Sequence, residues 1–251
     1  MAVTIRPMSA NCLAKACWNA DSVWLLVSWS ELAEMASMAA LVPGGDRFSR
    51  HVVEHLLLGM VAPVLLALGA PVTLALQGAG PGTRASLRRA LRHPLVAWAT
   101  HPVVAFVAFS ASMWVLWLSP LYRLSLDHAV VHEAVHAHLL LVGFAFAATV
   151  LGADPVPWRP AHGLRALAVG LTLPLHGLLG LVVLSMGGGV LNPRLGPAEA
   201  VDDQQLGAAL LWGGGELAAG GLLVLVLLGW MRADRLAARR EDRLATAEAS
   251  P

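Results

Sequence analysis

The feature that most constrains the fold is the stretch 128–151, an apolar run with four histidines and a glutamate at its beginning. About 20 consecutive apolar residues form a helix long enough to cross a bilayer, and histidines in such a helix are costly unless they have partners. His128, His132 and His136 follow one another at i, i+4 spacing, so a helix aligns them on one stripe. His138 is turned away from that stripe. The stretch therefore predicts a transmembrane helix that offers imidazole ligands, with other helices completing the site.

Composition places the chain among membrane proteins. Of its 251 residues, 57% are hydrophobic and 13% are charged, whereas a soluble domain has about 25% charged residues. A net charge of +1 gives no nucleic-acid-binding signature. Cys12 and Cys17 are the only cysteines, which excludes a disulfide-dense secreted scaffold. We therefore expect an all-α, polytopic bundle of transmembrane helices, with the lipid bilayer and not nucleic acid as its surroundings.

The hydrophobic pattern predicts about six spans. Five of them fall at residues 51–76, 95–118, 129–151, 164–186 and 206–231. Segment 24–42 is also apolar but is interrupted by Glu31 and Glu34, so it is either a first span or a helix at the membrane surface. The pattern divides the chain into three parts: an N-terminal segment at 1–45, a transmembrane helical domain at 46–231 and a basic tail at 232–251.

Charge between the spans predicts the topology. Loop 77–93 carries four arginines and no acidic residue, and the tail after residue 231 carries five more arginines. Basic loops remain in the cytoplasm, so both should lie inside, which the even number of spans between them allows. Loop 191–205 is acidic and then falls outside. The expected arrangement is a multi-pass protein of the plasma membrane, with a cytoplasmic C-terminus and histidine-rich helix ends on the extracytoplasmic side.

A second histidine pair predicts a metal site. His51 and His55 are separated by i, i+4 at the outer end of their helix, at the same level as His132 and His136. Met60 follows His55 by about one turn. Imidazole with thioether is a ligand set that suits copper, especially Cu(I). We expect these four histidines to form the site, with Met60 and also His128 as second choices.

A polar pair is predicted nearer the membrane midplane. His176 and Glu216 each lie deep within their predicted spans. A glutamate at that depth is expensive and is by default functional unless it is neutral or paired. We therefore expect His176 and Glu216 to contact each other across the bundle, either as a hydrogen-bonded pair that fixes helix register or as a proton or ion site.

Six short motifs, in order along residues 45–231, resemble those of the CtaG family of bacterial cytochrome c oxidase (caa3-type) assembly factors. They are HVVEHLLLGMVAPVLLALGAP at 51–71, HP at 101–102, W-x-x-P at 117–120, H-x-x-x-H at 132–136, DQQLG at 203–207 and W-x-x-x-E-L at 212–217.

The resemblance implies a polytopic membrane protein needed to build a heme-copper oxidase, with copper as its cofactor. Oxidase subunits or other copper chaperones would be its partners. The family's His-Met-x-x-His pattern falls on His51 and His55, but Val52 stands where the family has methionine. One soft ligand of the family pattern is therefore absent from this chain.

Two other functions remain open from the residues. A histidine-ligated di-iron oxygenase or desaturase has boxes similar to HVVEH and HEAVHAH, although its boxes lie on the cytoplasmic side and contain more histidines. A heme b protein would use facing histidines from two helices. The sequence contains no evident nucleophile, nucleotide-binding loop or catalytic carboxylate cluster, so we expect a protein that is not an enzyme.

Overall fold

The computed structural model describes residues 47–187, 189, 191 and 194–248, and these residues form helices without any β-strand. The helices are α1 (Phe48–Leu56), a π-helical segment (Leu57–Val61), α2 (Ala62–Leu68), α3 (Pro71–Gly78), α4 (Pro81–Leu91), α5 (Pro94–Ala99), α6 (Pro102–Leu118), α7 (Leu121–Asp127), α8 (Ala129–Leu151), α9 (His162–Ser185) and α10 (Pro197–Glu248). The predicted all-α class is confirmed.

Four of the described segments are long and apolar enough to cross a bilayer without help from a neighbour. They are Phe48–Gly78, Ala129–Leu151, His162–Ser185 and Pro197–Thr246. A fifth crossing is formed if α6 and α7, which meet at a bend of 69°, act as one broken span. The chain is therefore a multi-pass membrane protein. The predicted segment 24–42 lies outside the described residues.

One predicted span is interrupted. Instead of a continuous helix at 95–118, the chain forms α5, breaks at Thr100 and His101, and resumes as α6. Each helix has a proline in its first turn. The residue before a proline is pushed into an extended conformation, and His101 has φ −63° and ψ 130°. The prolines at 94 and 102 therefore divide the predicted span.

The last helix is longer than predicted. The 52 residues of α10 correspond to about 78 Å at 1.5 Å per residue, against about 30 Å for the hydrocarbon core of a bilayer. The predicted span at 206–231 and the basic tail that follows it are parts of this one helix as far as Glu248. A substantial length of α10 therefore lies beyond the membrane core.

The first span contains a local π-helical turn where it packs most closely on α8. Pro63 has no N–H to donate to the carbonyl four residues earlier, which belongs to Gly59. That carbonyl lies against Gly143 of α8, where a Cβ atom would overlap the Gly59 oxygen. The absence of a side chain at Gly143 thus lets α8 approach the π-helical segment, and this approach fixes the spacing of the two helices that carry the histidine pairs.

The beginnings of α1, α8 and α10 and the ends of α6 and α9 meet at one end of the bundle, which we call the histidine end. Buried Asp203 of α10 accepts hydrogen bonds from Phe48 N at 2.7 Å and from Ser49 Oγ at 2.5 Å. Its neighbour Gln204 donates to Val183 O of α9 at 2.9 Å. Two adjacent side chains of α10 therefore hold α1 and α9 in place at this end.

The opposite end, which we call the arginine end, contains α4 and its arginines. Asp154 is buried after α8 and accepts from Thr73 N at 2.8 Å and from Thr73 Oγ1 at 2.9 Å, so it caps the beginning of α3. The histidines at this end each contact a neighbouring group of the fold. His93 caps α5, His101 packs on Trp158, and His162 stacks on Trp230.

Candidate metal site

Four histidines from α1 and α8 converge at the histidine end. His51, His55, His132 and His136, which we call the histidine cluster, have ring centroids between 4.1 and 6.3 Å apart in every pair the structure shows in contact. The shortest separation, 4.1 Å, joins His132 and His136 within α8. The closest approach between the two helices joins His55 and His136 at 5.1 Å. The two i, i+4 pairs therefore form one group.

His55 has the most unusual environment in the cluster. Its side chain is 1% exposed, and neither ring nitrogen has a hydrogen-bond partner among the described residues. A buried polar group left unsatisfied costs about 1–3 kcal/mol. His136 Nε2 is in the same condition. His55 and His136 can therefore each offer one ring nitrogen to a metal.

The orientation of His51 is fixed from the outside. Its Nδ1 lies 3.0 Å from the carbonyl oxygen of Arg47, the N-cap residue of α1. If Nδ1 donates its proton to that carbonyl, Nε2 keeps its lone pair and remains free to bind a metal. Backbone carbonyls commonly hold metal-binding histidines in this way. The contact thus supplies the outer support expected of a metal-binding histidine.

An aromatic wall closes the buried side of the cluster. Trp117 of α6 lies 5.2 Å from the His55 ring, and Tyr122 of α7 lies 5.8 Å from the His51 ring. Phe48 packs edge-on against both aromatic rings. Sequence reasoning missed this wall because the bend between α6 and α7 creates it. The wall limits water access from the bundle interior and leaves the α8 side of the cluster as the more open one.

A carboxylate also reaches the cluster. Ligand atoms of Glu54, His132 and His136 all lie within 4.8 Å of one another, so these three residues could hold a metal ion. The Glu54 side chain is 12% exposed, and its Oε1 pairs with Arg50 Nε at 3.1 Å. Sequence reasoning overlooked Glu54, although a carboxylate within a predicted span is by default a functional candidate. The available donor set is therefore four imidazoles and one carboxylate.

Comparison with known proteins decides the family. The family model for the cytochrome c oxidase caa3 assembly factor (Caa3_CtaG) matches residues 14–233, which is most of the chain. The chain belongs to the CtaG family. This CtaG-family protein carries every residue of the histidine cluster, and Glu54 as well, inside the matched region.

Relatives at moderate identity are mycobacterial. Uncharacterized proteins of Mycobacterium bovis and Mycobacterium tuberculosis are each 32% identical over 249 residues, covering 92% of this chain. An uncharacterized protein of Mycobacterium leprae is 32% identical over 244 residues, covering 90%. The chain spans 37% of the length of each relative, so the similarity concerns one part of longer proteins. No solved structure matches this CtaG-family chain significantly.

Neither second-choice ligand joins the cluster in the structure of this CtaG-family protein. His128 is exposed at the N-cap of α8 and has no ring contact with the four histidines among the described residues. Met60 is 5% exposed and lines a small apolar cavity beside Phe109 and Leu222, so its thioether faces the bundle interior. Among the residues that the structure describes, the side chains that meet at the cluster therefore offer nitrogen and oxygen atoms and no sulfur.

The predicted contact between His176 and Glu216 takes a different form. His176 is buried, and its Nδ1 lies 2.8 Å from Thr172 O, while its Nε2 has no partner in the described part of the chain. Glu216 is exposed on the outer face of α10, where it accepts from Trp212 Nε1 at 2.6 Å. Gly215 faces the His176 ring, and the next residue of a helix is turned by about 100°. The two side chains are neighbours without a hydrogen bond between them.

Proposed function

We propose that this CtaG-family protein takes part in building a heme-copper cytochrome c oxidase by binding copper, as Cu(I), through His51, His55, His132 and His136. One observation carries the proposal. Two i, i+4 histidine pairs, far apart in sequence, converge at one end of the bundle, and the buried ring of His55 has both nitrogens unpartnered. A buried cluster of this kind lowers the stability of the fold unless a ligand binds to its unpartnered nitrogens. A metal ion is such a ligand.

Ligand chemistry favours copper within this proposal. Imidazole binds copper, zinc, iron and nickel, while magnesium and calcium prefer oxygen ligands. Several neutral imidazoles in a half-buried, aromatic-lined site suit a monovalent ion, because a single positive charge is less costly to bury than a double one. The family description concerns assembly of an oxidase, which favours copper among these metals and also favours a role without catalysis.

Sidedness is part of the same proposal. The arginines of α4 and those that follow Trp230 in α10 lie at the arginine end, and basic segments stay in the cytoplasm. The histidine cluster would then open to the extracytoplasmic side of the plasma membrane, and the C-terminus would be cytoplasmic. Copper would be exchanged there with an oxidase subunit or with another copper chaperone.

The direct test is an anaerobic Cu(I) titration of the detergent-purified protein. We expect near-stoichiometric binding by the wild type. The His132→Ala/His136→Ala double variant should bind more than about 100-fold more weakly, since even outer-shell partners of metal ligands contribute 10–100-fold to affinity. The matched control is His138→Ala/His162→Ala, which removes two histidines outside the cluster and should bind like the wild type. Equal binding by both double variants would mean that the cluster is structural.

The assembly role needs a test in cells. In a host that depends on this protein for its oxidase, the His132→Ala/His136→Ala variant should yield oxidase that contains heme but is depleted in copper. The His138→Ala/His162→Ala variant should yield oxidase with normal copper content. Oxidase of normal copper content in the cluster variant would leave a role in assembly only through protein contacts.

A further inference from the structure

We propose that Glu54, His132 and His136 form a second ligand set, overlapping the first, that holds a divalent ion of the Zn²⁺ or Cu²⁺ class. This inference rests on the proposed function, because the two α8 histidines are shared with the Cu(I) site. In this arrangement the charge of the ion decides which residues of α1 complete the site: His51 and His55 for the monovalent ion, and Glu54 for the divalent one.

The geometry brings three suitable donors together. The ligand atoms of Glu54, His132 and His136 lie within 4.8 Å of one another, and no other group of three or more such residues meets this condition in the described part of the chain. Bonds from zinc to nitrogen or carboxylate oxygen measure about 2.0–2.2 Å, so small side-chain rotations bring all three donors onto one ion. Two histidines and one carboxylate with a remaining open position are a recurrent ligand set for zinc.

Glu54 and His55 lie on different sides of the cluster. They are consecutive in α1, so their side chains leave the helix about 100° apart. His55 is 1% exposed and packs on Trp117, whereas Glu54 is 12% exposed. The site therefore has a dry side with an imidazole and a wetter side with a carboxylate. A divalent ion loses more on desolvation than a monovalent one, and the anionic oxygen on the wetter side compensates for its charge.

Arg50 supports the carboxylate of Glu54 through an ion pair. Arg50 lies one turn before Glu54 in α1, and its Nε is 3.1 Å from Glu54 Oε1. A carboxylate has two oxygens and about four acceptor positions, so one oxygen can accept from Arg50 while the other binds a metal. The ion pair orients the carboxylate, and a carboxylate ligates a metal in its ionised form. Arg50 is thus a positioning residue for the proposed ligand set.

The test compares Zn²⁺ and Cu(I) titrations of the same purified variants. Glu54→Gln should weaken Zn²⁺ binding by about tenfold or more, since the loss of even an outer-shell partner of a metal ligand costs about 10–100-fold in affinity. The same variant should keep a Cu(I) affinity close to that of the wild type. Glu133→Gln, which removes an exposed carboxylate beside His132, is the matched control and should change neither affinity. Glu54→Asp keeps a carboxylate and should therefore retain more Zn²⁺ affinity than Glu54→Gln. Retained Cu(I) affinity in Glu54→Gln would show that this variant has not lost its fold.

The outcomes separate the two proposals. If the wild type binds no Zn²⁺, or if Glu54→Gln binds it as well as the wild type does, the proposed divalent ligand set is wrong. The proposal that the histidine cluster binds Cu(I) would still stand. If the His132→Ala/His136→Ala variant keeps its Cu(I) affinity while Zn²⁺ binding depends on Glu54, the Cu(I) proposal fails, and the divalent site stands by itself. Parallel loss of both ions in Glu54→Gln would contradict the division of roles between Glu54 and His55.

Discussion

At the scale of single residues, His55 links stability to function. Its burial and its two unpartnered ring nitrogens make it a cost of about 1–3 kcal/mol to the metal-free protein. Val52, one turn earlier in α1, is fully buried and apolar, so the surroundings of His55 would accept an apolar side chain. Under the proposed function, metal coordination accounts for a polar ring at this position.

Replacing His55 should therefore separate the two effects. His55→Leu removes a buried unsatisfied group, so the metal-free protein should melt a few degrees higher, since 1 kcal/mol corresponds to about 2–4 °C in a chain of this size. The same variant should lose the rise in Tm that Cu(I) produces in the wild type by mass action. Tryptophan fluorescence during thermal unfolding, with and without Cu(I), measures both quantities. A His55→Leu protein with a lower metal-free Tm and an intact copper response would show that the ring is structural.

Residue periodicity predicted only part of this site. The i, i+4 spacing within α1 and within α8 is visible in the sequence, and the structure brings the two histidine pairs together. Glu54 was missed because its side chain leaves α1 in a different direction from the two histidines of that helix. Trp117 was missed because its contact with His55 depends on the bend between α6 and α7. The separation of Met60 from the histidine cluster likewise depends on the direction of the Met60 side chain, which spacing along the sequence alone does not give.

At the scale of elements, the position of α1 depends on a buried carboxylate of α10. Asp203 is 2% exposed and accepts from Phe48 N, Ser49 N and Ser49 Oγ, so it caps α1 across more than 150 residues of sequence. Hydrogen bonds to charged groups contribute about 1.5–3 kcal/mol each. The same helix carries His51 and His55, so this contact also positions α1's half of the candidate metal site.

Asp203→Asn should lower both stability and metal affinity. The amide cannot reproduce the charge or accept all three bonds, so we expect a loss of about 1.5–3 kcal/mol and a lower Tm. Cu(I) binding should weaken as well, because α1 is no longer held at the histidine end. Asp202→Asn is the matched control, since Asp202 is the adjacent, exposed carboxylate and should tolerate the change. A normal Tm for Asp203→Asn would contradict the capping role.

Element boundaries were predictable where prolines mark them and not elsewhere. Pro94 and Pro102 in the sequence already indicate the break between α5 and α6, although hydropathy alone joined the two into one span. The continuation of α10 to Glu248 was not predicted, because no glycine or proline ends the helix and the charged composition was interpreted as a tail. The predicted proximity of His176 and Glu216 is found without a hydrogen bond between them, since Gly215 occupies the position of α10 that faces the His176 ring.

At the scale of the whole molecule, the bundle has two chemically different ends. Arginines of α4 and of the distal part of α10 occupy one end, and the histidine cluster with the carboxylates of 199–203 occupies the other. Thiol labelling of intact cells tests the proposed orientation. In a Cys12→Ser/Cys17→Ser background, Ala198→Cys should react with a membrane-impermeant maleimide, and Ser86→Cys should react only after the cells are opened. The reverse pattern would place the histidine cluster in the cytoplasm.

The central claim is that the nitrogen atoms of the histidine cluster bind copper in this protein. X-ray absorption spectroscopy of the Cu(I)-loaded, detergent-purified protein counts the ligands directly. We predict a first shell of nitrogen or oxygen atoms with the outer-shell scattering of imidazole rings, and the loss of that signal in the His132→Ala/His136→Ala variant. A first shell dominated by sulfur would contradict the account, because it would place copper on methionine or cysteine residues away from the histidine cluster.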